Sequence, residues 1–217
     1  MAIPPERKVI VIDGVTNAGK TTAINILRKQ MPGCTQVKFS DYYHKSMQRA
    51  VGKVGQVDFS NAEVIDRLVG ENLKRYANVL QLARESPLDD YLIERLHPTD
   101  YVYRQVLFSR NGLGIFNGVE EILNRLGAYL LVLTLDDQTL LERSESTLAY
   151  RCRKEGASFE VPQHILSHEE NLRKRDLYLD FYSKSRVERK MLMDTSKIGL
   201  EELGGLLSLT IPQKYYK

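Results

Sequence analysis

A glycine-rich loop between an apolar run and a helical segment constrains this chain more than any other feature of its sequence. Residues 13–22 read DGVTNAGKTT directly after the β-branched run VIVI, and residues 14–21 match G-x-x-x-x-G-K-[ST], the Walker A motif. The run predicts a buried strand, and the segment up to Pro32-Gly33 predicts a helix. The chain is therefore expected to contain a strand–loop–helix unit that faces the carboxyl-end edge of a parallel sheet.

The residue types of this loop suit the phosphates of a nucleotide. Glycines let main-chain amides turn toward anionic oxygens, and the helix that follows adds its positive end. Lys20 is expected to reach the β- and γ-phosphates, and the Thr21 hydroxyl is expected to ligate Mg²⁺. We therefore predict that the loop binds ATP and Mg²⁺. The residues expected to contact ATP here are Gly14, Thr16, Asn17, Ala18, Gly19, Lys20, Thr21 and Thr22.

Four further apolar runs read as strands that alternate with helices: TQVKFS, DDYLIER, AYLLVLTLDD and RKMLMDTSK. This alternation predicts an α/β fold with three layers, in which helices flank a five-stranded parallel sheet. Together with the Walker A motif it predicts the P-loop NTPase fold. We expect one domain over 1–217. Asp136 or Asp137 is expected to cap the helix of 138–150.

A basic stretch after that helix is a candidate lid. The residues YRCRKEGAS bring Arg151 and Arg153 close together, and Gly156 offers a hinge. We expect a mobile lid over about 143–160 whose arginines close on the triphosphate. A solvated charged loop is the alternative.

Composition excludes several function classes. The 31 basic and 28 acidic residues leave a net charge of +3, which gives no reason to expect a nucleic-acid polymer or a membrane as partner. No stretch approaches the roughly 20 apolar residues of a membrane span, and the first residues lack the pattern of a signal peptide. Cys34 and Cys152 have no metal or disulfide spacing. We therefore expect a cytoplasmic protein with reduced thiols.

Charged residues stand at the ends of the second and third strands, where ligands of a parallel sheet bind. Asp41 follows the second strand, and Glu94 and Arg95 end the third. Each carboxylate is a candidate for accepting a proton from a hydroxyl acceptor or for holding Mg²⁺. Arg95 is a candidate for bidentate contact with phosphate oxygens. The alternatives are a capping role for Asp41 and a strand-end ion pair for the other two residues.

Three more residues are candidates for contact with the second substrate. Asp100 could hydrogen-bond a base or a sugar, although capping of the helix that begins nearby is an equal alternative. Arg75 could face the cleft, although it is also spaced for a surface salt bridge with Glu71. Tyr42 could stack on a base, although core packing is the commoner fate of a tyrosine.

Together these motifs resemble the P-loop nucleoside and nucleoside-monophosphate kinases. GVTNAGKTT followed by SDYYHK resembles the start of nicotinamide riboside kinases and uridine kinases. Glu94-Arg95 with Asp100 resembles the Glu-Arg-Ser motif of deoxynucleoside kinases, with Leu96 in place of the serine.

A third likeness is to thymidylate kinases. It rests on the Arg75-Tyr76 pair, on Glu94-Arg95 and on MDTSK near the end, although those enzymes carry Asp-Arg on the third strand. The resemblance implies that the MDTSK segment, with Thr195 and Ser196, lies near adenine through its backbone. It also implies that Arg95 serves the transferred phosphoryl group, and it makes a homodimer plausible.

The acceptor decides between three functions. A hydroxyl acceptor benefits from a carboxylate base, which Asp41 or Glu94 supplies. A monophosphate acceptor instead favours arginines, which Arg75 and Arg95 supply. We therefore expect a nucleoside kinase, with a nucleoside-monophosphate kinase of the thymidylate kinase type as the alternative. A P-loop ATPase without a small-molecule acceptor is a second alternative, in which Asp136 ends a Walker B strand.

Overall fold

The protein is described from a computed structural model, which covers residues 8–39, 62–86, 88–108, 112–155 and 168–210. Five strands and seven α-helices lie within these ranges. The strands are β1 (Val9–Gly14), β2 (Thr35–Lys38), β3 (Tyr91–Glu94), β4 (Tyr129–Thr134) and β5 (Arg189–Asp194). The helices are α1 (Lys20–Gln30), α2 (Ala62–Glu85), α3 (His97–Phe108), α4 (Asn117–Arg125), α5 (Asp137–Glu155), α6 (His168–Lys184) and α7 (Leu200–Thr210), and a short 3₁₀ helix spans Leu113–Phe116.

The strands form one parallel sheet in the order β2-β3-β1-β4-β5. β1 lies at its centre, with Ile12 opposite Glu94 of β3 and Gly14 opposite Leu133 of β4. All six residues of β1 are buried, as expected for a strand covered on both faces. The predicted five-stranded parallel sheet is confirmed.

Helices cover both faces of the sheet. The chain moves one way from β1 to β2 and the other way for every later crossover, so right-handed connections place α1 on one face and α2 to α6 on the other. α7 joins α1, since Gln30 Nε2 donates to Ser208 Oγ over 2.6 Å. On the opposite face α3 and α6 pack together, and Tyr101 and Phe181 bring their ring centroids to 5.6 Å. The predicted three-layer arrangement is confirmed.

A buried polar cluster fixes the start of α3. His97 is fully buried, and its Nε2 lies 3.4 Å from Glu120 Oε1 on α4. Glu120 also accepts hydrogen bonds from Ser185 Oγ (2.7 Å) and from the Arg186 main-chain N–H (3.1 Å). The Glu120 carboxylate thereby connects α3 to α4 and to the turn after α6. These contacts stabilise the connection between β3 and α3.

Two element boundaries differ from the sequence expectation. α5 runs to Glu155, so Arg151 and Arg153 lie in its last turns and not in a loop after it; no glycine or proline interrupts the helix before Gly156. α3 begins at His97, which places Asp100 inside its first turn and not at its cap. Asp136 caps α5 as predicted, because its Oδ1 accepts the Thr139 N–H over 2.7 Å. In the part of the chain covered by the structure, every helix falls short of the length and apolarity that a membrane crossing requires.

Candidate nucleotide-binding site

The loop between β1 and α1 has the backbone that its glycines predict. Gly14 has a φ of 134° and Gly19 a φ of 83°, and the non-glycine Asn17 also takes a left-handed φ of 64°. A Cβ on Gly14 would lie 2.1 Å from the Leu133 carbonyl oxygen of β4, so a side chain is excluded there. The glycine therefore allows β1 to run beside β4 up to the point where the loop begins.

The main-chain amides at the start of α1 lie directly after the loop. The Ala23 N–H is the first to bond back along α1, to the Gly19 carbonyl oxygen over 2.9 Å, so the amides before it have no partner within the helix. α1 also directs its positive end to this point. The arrangement suits an anion such as a phosphate.

The loop is held from the side by α5 and by the turn after β5. Thr195 Oγ1 donates to the Ala18 carbonyl oxygen over 2.9 Å. Arg143 donates to the carbonyl oxygens of Asn17 (3.3 Å) and Thr195 (2.9 Å). Thr147 Oγ1 donates to Asn17 Oδ1 over 3.2 Å. These bonds fix the left-handed conformation of Asn17. They also place the MDTSK segment (193–197) directly beside residues 14–21, the phosphate loop.

Lys20 is buried and folds back on the loop. Its Nζ donates to the carbonyl oxygens of Gly14 (2.8 Å) and Val15 (2.5 Å), and 6% of the residue is exposed. Burial and the positive charge of Arg95 lower the pKa of Lys20 to about 7, against the opposing charges of Asp13 and Glu94. The lysine is therefore a poorly solvated donor that gains from an incoming anion.

Glu94 and Arg95 end β3 beside this lysine. Glu94 is buried, and its Oε2 lies 3.6 Å from Lys38 Nζ. Arg95 has a left-handed φ of 64°, and its Nε is buried without a hydrogen-bond partner in the described part of the chain. A carboxylate and a guanidinium thus stand next to the Lys20 amino group, as the strand-end rule predicts.

The carboxyl group of Asp100 is buried between α2 and α3. It accepts hydrogen bonds from Tyr76 OH (2.8 Å) and from Asn72 Nδ2 (3.2 Å). Burial raises the pKa of Asp100 to about 7, although both hydrogen bonds oppose the shift. Asp100 therefore fixes α2 against α3. In addition, Arg75 Nη2 on α2 lies 3.9 Å from Glu71 Oε2, at the limit of an ion pair.

Comparisons with known proteins address the fold. No protein-family model matches the chain. A 58-residue segment, 27% of this chain, is 40% identical to nicotinamide riboside kinase 2 of Mus musculus, and it spans only 30% of that protein's length. Solved structures match over almost the whole chain. A thymidylate kinase from Candida albicans covers 94% of this chain and 91% of its own, with a TM-score of 0.52 and 14% identity.

Two other solved structures agree with it. Deoxyadenosine kinase from M. mycoides, determined with bound dATP, matches 91% of this chain and 96% of its own with a TM-score of 0.51 and 16% identity. Thymidylate kinase from Ehrlichia chaffeensis matches 94% and 97% with a TM-score of 0.57 and 11% identity. The chain has the P-loop kinase fold.

The P-loop kinase fold brings together most of the residues that the sequence singled out. Lys20, Glu94 and Arg95 lie close together, and Asp100 lies in the first turn of α3, which begins two residues after Arg95. Thr21 is exposed at the start of α1, whereas Thr16 and Thr22 are half-buried. Asp41 and Tyr42 lie outside the described residues, and so do the side chains of Arg151 and Arg153 and the part of the predicted lid beyond Glu155. Their roles stay predictions.

The residues of this P-loop kinase fold suit a magnesium ion that is shared with a nucleotide. Within the described ranges, His, Cys, Asp and Glu side chains form no group of three that could hold a metal by themselves. Mg²⁺ in such sites takes one or two protein oxygens and completes its shell with phosphate and water. Thr21, whose side chain is exposed, and Glu94 offer an oxygen each beside the phosphate loop.

Sequence reasoning missed three residues of this site. Asp13 was treated as the end of β1, yet it is fully buried and binds the first residues of α3. Thr147 and Tyr178 were not singled out. Burial and the charge of Asp13 raise the pKa of Tyr178 well above 10, so its hydroxyl stays protonated. The one signal in the sequence was an acidic residue inside an otherwise apolar run.

Proposed function

We propose that the chain transfers the γ-phosphoryl group of ATP, with Mg²⁺, to the 5′-hydroxyl of a nucleoside. The observation that carries the proposal is the pairing of Glu94 and Arg95 beside Lys20 at the end of β3. A hydroxyl acceptor must lose a proton, and a buried carboxylate next to the phosphate loop is suited to take it. The segment shared with nicotinamide riboside kinase 2, a nucleoside kinase by its name, is consistent with such an acceptor.

The residues have separate tasks in this transfer. The main-chain amides of the phosphate loop and Lys20 hold the β- and γ-phosphates. Thr21 and Glu94 are candidates for holding Mg²⁺, which neutralises phosphate charge when it is bound. The 5′ oxygen forms a bond to the γ-phosphorus as the bond to the β–γ bridging oxygen breaks, and the hydroxyl proton passes to Glu94 or to Asp41. Arg95 binds the equatorial oxygens of the group in transfer, and ADP leaves.

A second candidate function is phosphorylation of a nucleoside monophosphate. The observation that favours it is a third arginine on the acceptor side: Arg104 on α3 is nearly buried, and its charge acts on Asp100. With Arg75 and Arg95 it would suit an acceptor that is already anionic. Two of the matching structures are thymidylate kinases by name, although that likeness concerns the fold alone.

A P-loop ATPase without an acceptor is the weakest reading. Its candidate for the acidic residue of a Walker B strand was Asp136, and the Oδ1 of Asp136 caps α5 by accepting the Thr139 N–H. Hydrogen bonds from the Thr139 main-chain N–H and hydroxyl group lower the pKa of Asp136, as expected for a capping carboxylate.

One assay separates these functions. The protein is incubated with ATP and Mg²⁺ alone, then with a panel of nucleosides and a panel of nucleoside monophosphates, and ADP release is followed. We expect turnover only with nucleosides. Turnover with monophosphates alone would establish the second candidate, and steady turnover without any acceptor would overturn both kinase proposals.

Replacing Glu94 by glutamine tests the proposed base. We expect Glu94→Gln to lower kcat for a nucleoside by about 10²-fold, because the amide cannot take the hydroxyl proton. ATP affinity, measured by calorimetry, should change little. Asp41→Asn is the matched variant for the competing carboxylate. Near-full activity of Glu94→Gln together with a loss in Asp41→Asn would assign the proton to Asp41.

Proton uptake on nucleotide binding tests the state of Lys20. Its pKa is lowered to about 7 in the free protein, so at about pH 8.5 most of the lysine is neutral, whereas a bound triphosphate favours the ammonium form. We therefore expect ATP binding at that pH to take up close to one proton. Titration calorimetry in two buffers of different ionisation enthalpy measures the number, and a buffer-independent enthalpy would contradict the expectation.

A further inference from the structure

Asp13 receives more hydrogen bonds than any function assigned above requires. Its Oδ1 accepts from the Gly14 N–H (2.8 Å) and from Thr99 Oγ1 (2.7 Å), and the Tyr178 hydroxyl lies 3.2 Å away. Its Oδ2 accepts from the N–H groups of Leu96 and Thr99, both over 3.0 Å. One buried carboxylate thus joins the phosphate loop, the turn after β3, α3 and α6.

The turn after β3 is the strained part of this arrangement. Arg95 holds a φ of 64°, which a non-glycine residue adopts only at a cost. Both neighbouring amides are bound to β1: the Arg95 N–H donates to the Ile12 carbonyl oxygen over 2.9 Å, and the Leu96 N–H donates to Asp13. The end of β1 therefore supplies the bonds that offset the strain.

The same turn decides where the Arg95 side chain points. A left-handed residue directs its Cβ differently from a residue in extended or helical conformation, so the guanidinium moves if the turn relaxes. Arg95 Nε is buried and has no hydrogen-bond partner among the described residues, and the negative charges of Asp13 and Glu94 act directly on the guanidinium. The bonds to Asp13 are thus well placed to aim it.

We propose that Asp13 is a positioning residue for phosphoryl transfer, which holds the strained turn at Arg95 and thereby aims its guanidinium at the group being transferred. The inference rests on the proposed function for its catalytic part. Its structural part, that Asp13 offsets the backbone strain at Arg95, is independent of the proposed function. Asp13 is fully buried, so it offers no surface to a substrate and acts through Arg95.

A double-mutant cycle on stability tests the structural part without any acceptor. Asp13→Asn puts an amide N–H₂ where the main-chain N–H groups need an acceptor, and Arg95→Gly removes both the strain and the guanidinium. The urea midpoint is measured for the four proteins. We expect Asp13→Asn to shift the midpoint at most half as far in the Arg95→Gly background as in the wild type.

Arg95→Ala removes the guanidinium but keeps a side chain at the strained φ, so it separates strain from the direct attraction between Asp13 and Arg95. In that background Asp13→Asn should shift the midpoint nearly as far as in the wild type. Equal shifts in the wild type and in Arg95→Gly, or a shift in Arg95→Ala as small as in Arg95→Gly, would overturn the inference.

The same four proteins test the catalytic part. In the wild-type background we expect Asp13→Asn to lower kcat about 10-fold with ATP affinity changed less than threefold; in the Arg95→Gly background it should lower kcat less than twofold. Equal losses in both backgrounds, or a parallel loss of ATP affinity, would overturn the inference. A wild-type protein that phosphorylates no acceptor would instead refute the proposed function, and the stability cycle would still be decisive for Asp13.

Two further variants support the design. Asp90→Asn is the matched control. Asp90 is also a buried carboxylate, and it accepts the Lys8 main-chain N–H over 2.8 Å. It lies at the amino end of the strands, away from the site. It should leave kcat unchanged. If Asp13→Asn does not fold, Thr99→Val replaces it: this variant removes one donor to Asp13 and should show the same background dependence with a smaller loss, whereas a loss independent of Arg95 would overturn the inference.

Discussion

Replacing Lys20 with methionine should lower kcat by roughly 10³-fold without destabilising the protein. The loss follows from removing the charge that neutralises the β- and γ-phosphates in a site with little water. The two hydrogen bonds from Lys20 to main-chain carbonyl oxygens are lost as well, but so is the cost of burying an amino group. We expect the urea midpoint of Lys20→Met to equal or exceed that of the wild type at pH 7.

The free energy of unfolding should depend on pH differently in the wild type and in Lys20→Met. Folding lowers the pKa of Lys20 from 10.5 to about 7, so between these values the unfolded chain binds more protons than the folded one. The contribution of this lysine to the free energy of unfolding therefore rises with pH from about 7 to about 10.5. Below about pH 7 the full cost of burying the charged amino group destabilises the folded protein. Lys20→Met should lack this rise. A variant that unfolds at a clearly lower urea concentration would show that the lysine is structural.

Lys190 provides the matched control for Lys20. Its Nζ also donates to two main-chain carbonyl oxygens, those of Tyr182 (2.8 Å) and Ser185 (2.5 Å), but it lies at the amino end of β5. Lys190→Met removes the same chemical group and the same two kinds of hydrogen bond from a partly buried position at the opposite end of the strands. It should lose some stability and keep kcat, which is the reverse of the result expected for Lys20→Met.

The parts of the fold that the sequence predicts are those encoded locally. The strand, loop and helix of residues 9–30 follow from a β-branched run, a spaced pair of glycines and a proline-glycine stop, all within one segment. Glu94 and Arg95 were placed by a rule about where parallel strands end, and they do lie beside Lys20. For these residues, the position along the chain was sufficient to predict where they lie in the fold.

The parts that the sequence does not predict depend on distant partners. Asp13 binds Leu96, 83 residues away, and reaches Tyr178, 165 residues away, and nothing near it in the chain signals those donors. Thr147 meets Asn17 across 130 residues. Asp100 was expected at a cap or on a substrate; its observed partners on α2 follow from helix packing, which periodicity alone does not specify. A buried polar residue in an apolar run is the signal that deserved more weight.

Replacing Gly14 with alanine should disrupt the centre of the fold as well as the phosphate loop. The new methyl group would stand 2.1 Å from the Leu133 carbonyl oxygen and 2.6 Å from its nitrogen, inside the pairing of β1 with β4, at a φ of 134° that alanine avoids. Main chain cannot yield as a flexible side chain does, so the two central strands must separate. The expected destabilisation is on the order of 4 kcal/mol or more, which lowers Tm by roughly 10 °C in a chain of this size.

Gly70 gives the comparison that isolates this contact. It lies within α2, and a Cβ there would meet nothing within 4 Å, so Gly70→Ala should raise stability by about 0.5–1 kcal/mol through helix propensity alone. Opposite signs for two glycine-to-alanine changes, measured by urea unfolding of both variants, would assign the effect to the close approach of β1 and β4. A Gly14→Ala protein whose free energy of unfolding is within about 1 kcal/mol of the wild type would mean that the strands tolerate separation. The loop conformation would then depend on Asn17 and Gly19 and not on Gly14.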